Sequence, residues 1–136
     1  MKRLIGASVL GIATVLASAS AVEAVPPPRG GCTVDIYWEL DANGILTAYP
    51  AANCAPQQTF NKVVIDSTLQ KDGRWVATGK TTRYGRTRGR VLPGAAVSTR
   101  NTAGNNEYCA IVNVYWQYSP PSGPDRKRTG ESCVNY

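Results

Sequence analysis

The spacing of its cysteines constrains the fold of this chain more than any other feature of the sequence. The four cysteines form two pairs: Cys32 with Cys54, and Cys109 with Cys133. The first pair is nearly centred on the turn sequence Asp-Ala-Asn-Gly at residues 41–44, and the second on a proline-rich loop around Pro121. Residues equidistant from a hairpin turn face each other across the strand ladder. We therefore predict two disulfide bonds, Cys32–Cys54 and Cys109–Cys133, each closing the mouth of a hairpin.

Apolar and polar residues alternate with a period of two along much of the chain, which indicates strands. A second hairpin is indicated where the Asp72-Gly73 turn joins two such segments. About seven short strands separated by Gly, Pro and Asn turns predict an all-β fold, for which we expect a small antiparallel β-sandwich. A Greek-key or immunoglobulin-like architecture is one form that such a sandwich takes. The segments with this pattern are residues 32–40, 45–49, 60–70, 74–82, 108–118 and 132–136.

The first 24 residues have the build of a secretory signal peptide. Lys2 and Arg3 precede an uncharged stretch, residues 4–22, that is rich in small side chains. Residues 22–24 (Val-Glu-Ala) place small residues where a signal peptidase requires them. An uncleaved membrane anchor is the alternative, because about 19 residues are enough to span a bilayer. We expect a cleaved leader and a protein secreted to the extracellular space, where disulfides persist.

Removal of the leader divides the chain into a cleaved segment (residues 1–24), a Pro/Gly-rich N-terminal arm (residues 25–31) and a β-sandwich domain (residues 32–136). The arm combines a stiff polyproline-like stretch with a Gly-Gly hinge. It is a candidate docking arm that enters a groove, and the alternative is a disordered spacer. The candidate docking residues are Pro26, Pro27, Pro28 and Arg29.

The residue types of the chain exclude several catalytic systems. The chain contains no histidine, which removes the Ser-His-Asp and Cys-His nucleophile systems. It also lacks a Cys-x-x-Cys sequence for zinc. Asp35 and Glu39 share the polar side of one strand, but their backbones are about 13 Å apart, whereas glycosidase carboxyl groups are about 5–10 Å apart. We therefore predict no catalytic residue, no metal and no cofactor, and a non-enzymatic protein.

Positive charge is concentrated in two segments. Without Lys2, Arg3 and Glu23 the 15 basic and 9 acidic residues become 13 and 8, a net charge of +5. No acidic residue occurs between positions 80 and 100. If this stretch is extended, alternate arginines project to one side about 6.6 Å apart, and guanidinium groups suit phosphate, sulfate or carboxylate. The alternative is a solvated, glycine-punctuated loop. The candidate binding residues are Arg83, Tyr84, Arg86, Arg88 and Arg90, and in the proline-rich loop Arg126, Lys127 and Arg128.

Tyr37 and Tyr115 occupy positions opposite the apolar stripes of their strands, and exposed tyrosine is favoured at interfaces. Three functional hypotheses follow. The first is a secreted protein-interaction module that acts as a subunit or adaptor of an extracellular assembly, or as a loop-presenting inhibitor. The second is binding of a polyanion or cell surface through the Arg-rich residues 80–100. The third is a small secreted hydrolase or toxin. The expected partner is another extracellular protein or an anionic surface polymer, with nucleic acid less favoured.

Overall fold

A computed structural model describes residues 31–56, 58–88, 91–120 and 124–136, with the backbone alone at residues 85–88. These residues form eight strands and no helix, which confirms the all-β prediction. Within them, no helix is long and apolar enough to cross a membrane. The strands are β1 (Cys32–Leu40), β2 (Ile45–Cys54), β3 (Thr59–Lys71), β4 (Arg74–Arg88), β5 (Val91–Pro93), β6 (Val97–Arg100), β7 (Glu107–Tyr118) and β8 (Arg126–Asn135).

The strands form two antiparallel sheets that pack face to face. Sheet A contains β1, β2, β5 and β6, and sheet B has the order β4-β3-β7-β8. Both β5 and β6 pair with β2, so they are two pieces of one edge strand that is interrupted at residues 94–96. The amide of Gly94 donates to the carbonyl oxygen of Pro50 at 2.8 Å and keeps this edge attached to β2 within the interruption.

The core lies between the sheets and is supplied mainly by alternate residues of β1, β2, β3, β7 and β8. On β1, for example, Val34, Ile36 and Trp38 are buried, whereas Tyr37 and Glu39 are exposed on the outer side. The indole Nε1 of Trp38 donates to Ser132 Oγ at 3.0 Å and thereby links the two sheets through a buried hydrogen bond. The alternation that predicts strands from the sequence is therefore the alternation that builds the core.

Both predicted disulfides are present. Cys32 pairs with Cys54 in the β1–β2 register, and Cys109 pairs with Cys133 in the β7–β8 register. The first bridge is buried in the core, and the second is half-buried on the outer face of sheet B. The described residues contain no free cysteine.

The predicted turns are also present. In the β1–β2 turn, Asp41 Oδ1 accepts hydrogen bonds from the amides of Asn43 and Ile45, at 2.8 and 2.9 Å. In the β3–β4 turn, Asp72 and Gly73 have φ angles of 49° and 80°, as a two-residue hairpin turn with a positive φ at both positions requires.

Three strand boundaries differ from the prediction by five or six residues. The first is the end of β2, which continues beyond Tyr49 to Cys54. Strand β4 continues beyond Thr82 to Arg88, because the first residues of β3 pair with it and extend the β3–β4 ladder. Strand β8 begins at Arg126, six residues before the predicted start, because β7 offers a pairing edge as far as Trp116. The short strands β5 and β6 were not predicted, since three and four residues are too few to show a period.

Candidate functional site

The two basic segments of the sequence meet at one end of sheet B. Val63 of β3 pairs with Arg83 on one side and with Trp116 on the other, and Trp116 pairs with Arg126. One row across all four strands therefore has an arginine at each edge and two buried residues between them. With strands about 4.8 Å apart, the backbones of the two arginines are about 14 Å apart.

Lysine side chains lie in the neighbouring rows, on the outer face of the sheet. The register places Arg83 and Arg126 on the other face, the one that Val63 and Trp116 share. Lys127 Nζ lies 5.4 Å from the ring centroid of Tyr115, a cation–π contact across the β7–β8 pair. Lys62 is paired in register with Tyr84 and forms an ion pair with Asp125 at 2.9 Å. We call this group the basic end. It consists of Lys62, Arg83, Arg126, Lys127 and Arg128, together with Arg86 and Arg88, which the backbone places in β4.

The basic end has a large excess of positive charge over its carboxylates. Arg83, Arg126 and Lys127 are exposed. Among the described residues, the one ion pair is that between Lys62 and Asp125, so no described carboxylate pairs with either arginine. Within the described residues, the charges of Arg83 and Arg126 are therefore not compensated by a carboxylate.

Trp116 lies at the centre of the row and is only 4% exposed. Its Nε1 atom is buried without a hydrogen-bond partner. The side chain packs in the core with Val63 and fixes the part of the row between the two arginines. The separation of the two charged strand edges is therefore set by packed core residues rather than by a loop.

The remaining predicted binding residues lie in different places. Tyr84 is 77% exposed at the basic end, and Tyr115 is half-buried beside Lys127. Tyr37 lies on the outer face of sheet A, opposite Tyr49 and away from the basic end. Arg90 lies outside the described residues, as do four residues of the arm, namely Pro26, Pro27, Pro28 and Arg29.

Three exposed or charged residues at these surfaces were not predicted. Lys62 is an isolated cation in the sequence of β3. Its place at the basic end becomes apparent only from the pairing of β3 with β4 and β7. Tyr49 is 43% exposed on β2. Trp75 is 73% exposed beside the β3–β4 turn. Its position two residues after Gly73, beside the turn, could have signalled that exposure.

The two acidic residues of β1 differ in exposure. Asp35 is only 8% exposed, although it lies on the polar side of β1. Glu39 is exposed and accepts a hydrogen bond from the Tyr49 hydroxyl at 3.2 Å. Partial burial, and then the nearby carboxylates of Glu39 and Asp41, raise the pKa of Tyr49.

One cluster of metal-ligand types occurs among the described residues. Ligand atoms of Glu107, Cys109 and Cys133 lie within 4.8 Å of one another. Both sulfurs belong to the disulfide bond, and metal binding requires the thiolate form. The cluster therefore offers a single carboxylate, which is insufficient for a metal site.

Comparisons with known proteins give weak structural similarity and no family. No family model and no curated protein matches the chain. The solution structure of AT1g01470 from Arabidopsis thaliana is similar over 83% of each chain, with a TM-score of 0.47 and 16% identity. A crystal structure of a protein from Archaeoglobus fulgidus is similar over 73% of this chain and 93% of that one, with a TM-score of 0.39 and 11% identity.

Proposed function

We propose that this chain is a secreted, non-enzymatic binding protein that holds an anionic polymer of the cell surface or extracellular space at its basic end. The observation that carries the proposal is the cross-strand row with Arg83 at one edge of sheet B and Arg126 at the other. Two segments that are 43 positions apart in sequence thereby lie at the same end of sheet B.

The shape of the basic end suits a polymer better than a small anion. Its charges are spread across about 14 Å of sheet, and Arg83, Arg126 and Lys127 are exposed on the two edge strands of the sheet. Guanidinium groups bind phosphate, sulfate and carboxylate with two parallel hydrogen bonds. A partner that carries such groups at regular intervals can engage several of these residues at once.

Secretion rests on the leader sequence, and the two disulfide bonds are consistent with it. The loop-presenting inhibitor receives less support, because Arg83, Arg86 and Arg88 lie in a strand that is paired with β3. An acidic protein remains the competing partner, and the experiment below distinguishes it from a polymer.

The test compares two variants that lose the same charge. Arg83→Ser/Arg126→Ser removes two exposed charges from the basic end, and Arg74→Ser/Arg100→Ser removes two exposed charges from the opposite end of the sandwich. Exposed ion pairs contribute about 0.2–1 kcal/mol each, so we expect the first variant to bind heparin roughly 2- to 30-fold more weakly at low salt. Elution from immobilised heparin and from immobilised polyphosphate along a salt gradient measures the effect.

Equal retention of the wild type and both variants would refute the proposal. Equal weakening of both variants would show that net charge, and not the basic end, determines retention. The protein-partner hypothesis is supported instead if an acidic protein from the culture medium binds the wild type but not Arg83→Ser/Arg126→Ser, while heparin and polyphosphate bind neither.

A further inference from the structure

Strand β4 is the last strand on one side of sheet B, and its outer edge pairs with no other described strand. It is 15 residues long, whereas strands most often have about 5–6 residues. Between two shifts of register it pairs with β3 without interruption from Ala77 to Tyr84. We call residues 77–84 the open edge. They include no proline, and a long exposed edge without a partner is a template for pairing with another chain.

The direction of each backbone group along the open edge follows from one hydrogen bond. The Asp72 amide, directly after β3, donates to the carbonyl oxygen of Glu107 in β7 at 2.8 Å. Backbone groups of successive residues in a strand point alternately to its two sides. The even-numbered residues of β3 therefore bond to β7, and the odd-numbered ones bond to their odd-numbered partners in β4. The amides of the open edge that point away from the sheet are those of Thr78, Lys80, Thr82 and Tyr84.

The described part of sheet A covers the inner face of the open edge but not the edge itself. A Cβ atom at Gly79 would lie 3.1 Å from the carbonyl oxygen of Ala95 and 3.2 Å from Val97 Cγ1. Side chains stand out of the plane of a sheet, so these atoms lie above β4 and not beside it. Among the described residues, no backbone hydrogen bond outside the strand ladders involves the open edge. Its outward amides and carbonyl groups are therefore accessible to an added strand.

The charge of the open edge selects the kind of strand that it accepts. Lys80 lies on the outer face and Arg83 on the inner face, and both are exposed. Asp66 of β3 is opposite Lys80, yet the two form no ion pair. A second copy of β4 would add further cations and no carboxylate, because β4 contains no Asp or Glu, and like charges opposite each other destabilise a strand pair. Charge complementarity therefore favours an acidic strand over a second copy.

We propose that the open edge binds an acidic, extended segment of another protein as a fifth strand of sheet B. Backbone hydrogen bonds to alternate residues of β4 provide affinity, and carboxylates opposite Lys80 and Arg83 provide specificity. Because these two cations are three positions apart, the segment needs two acidic residues with two other residues between them. The proposal does not rest on polymer binding at the basic end, because it requires the backbone of β4 and does not involve Arg126.

A synthetic peptide, Val-Glu-Val-Thr-Glu-Val-Thr, is the probe. In an antiparallel pairing with residues 78–84, its glutamates lie opposite Arg83 and Lys80. Fluorescence anisotropy of the labelled peptide measures binding to the exported chain, and amide hydrogen exchange followed by NMR locates it. With the peptide at about ten times its dissociation constant, exchange at Lys80 and Thr82 should slow about tenfold. Exchange at Gly79 and Thr81, which already bond to β3, should change little.

A proline variant tests the role of the backbone at constant charge. Thr82→Pro removes one outward amide, as edge strands tolerate, and should weaken peptide binding about 2- to 10-fold without changing retention on heparin. The matched control is Thr129→Pro in β8. Asn106 and Tyr136 continue the β7–β8 ladder and exchange both backbone hydrogen bonds, so the Thr129 amide, seven residues before Tyr136, points to the free edge of β8. This control should bind the peptide as the wild type does.

A second peptide keeps the test decisive if Thr82→Pro disturbs folding. Pro-Glu-Pro-Thr-Glu-Val-Thr has the same charge but lacks two amides that would face β4, and it should bind the wild type roughly tenfold more weakly. Equal binding of the two peptides would overturn the proposal. Peptide binding that is lost in Arg126→Ser and unchanged in Thr82→Pro would overturn it in favour of the basic end. Protection of the open edge that needs no peptide and increases with protein concentration would overturn it in favour of a second copy.

Discussion

Replacing Gly94 with alanine tests how tightly the interrupted edge of sheet A packs on sheet B. A Cβ atom at this position would lie 2.7 Å from Ile65 Cγ2 and 3.2 Å from Pro50 Cγ. Relief to an ordinary contact requires a movement of about 0.7 Å against Ile65, in a central strand of sheet B that is paired on both sides. The edge cannot simply move outward, because the Gly94 amide is hydrogen-bonded to Pro50.

The expected magnitude combines two opposing effects. Overpacking a well-filled core costs about 1–3 kcal/mol. Alanine reduces the conformational freedom of the unfolded chain, which stabilises the folded state by about 0.4–1 kcal/mol. We therefore expect Gly94→Ala to lower the free energy of unfolding by about 1–2 kcal/mol. Urea denaturation followed by tryptophan fluorescence measures this as a lower midpoint with an unchanged slope.

A double-mutant cycle identifies the cause. Ile65→Ala removes the Cγ2 atom that the new methyl group would meet, although this change alone costs about 2–5 kcal/mol. In that background Gly94→Ala should cost nothing or should stabilise slightly, so the two substitutions should couple by about 1–3 kcal/mol. The same cost for Gly94→Ala in both backgrounds would refute the steric explanation. A Gly94→Ala single variant as stable as the wild type would also refute it.

Two further predictions concern the disulfides and the C-terminal residue. Limited dithiothreitol should reduce the half-buried bond Cys109–Cys133 before Cys32–Cys54, whose cysteines are 0% and 2% exposed. Alkylation of the freed thiols followed by mass mapping gives the order of reduction. The reverse order would show that burial does not control access of the reductant. Burial raises the pKa of Tyr136 above its ordinary value of 10.0. The folded state thus favours the neutral phenol, and the free energy of unfolding should fall as pH rises through 10 toward the folded-state pKa. Tyr136→Phe should lose part of this dependence, and identical alkaline unfolding profiles would contradict the prediction.

The hairpins could be predicted because their information is local. The symmetry of Cys32 and Cys54 about one turn fixes their register, and Asp72-Gly73 supplies the positive φ angles of another. The short strands β5 and β6 carry no comparable signal. Their pairing with β2 depends on Gly94, whose role as a close contact to Ile65 is apparent only when both sheets are present.

The basic end could not be placed from the sequence, because it depends on a pairing between distant strands. Arg83 and Arg126 reach the same row only because β3 and β7 lie between β4 and β8. The local sequence around Arg126 is charged and follows prolines, which favours a loop. The edge of β7 nevertheless pairs with this segment as far as Trp116, which lies opposite Arg126. Tertiary pairing here overrides a local preference, as is common for strands.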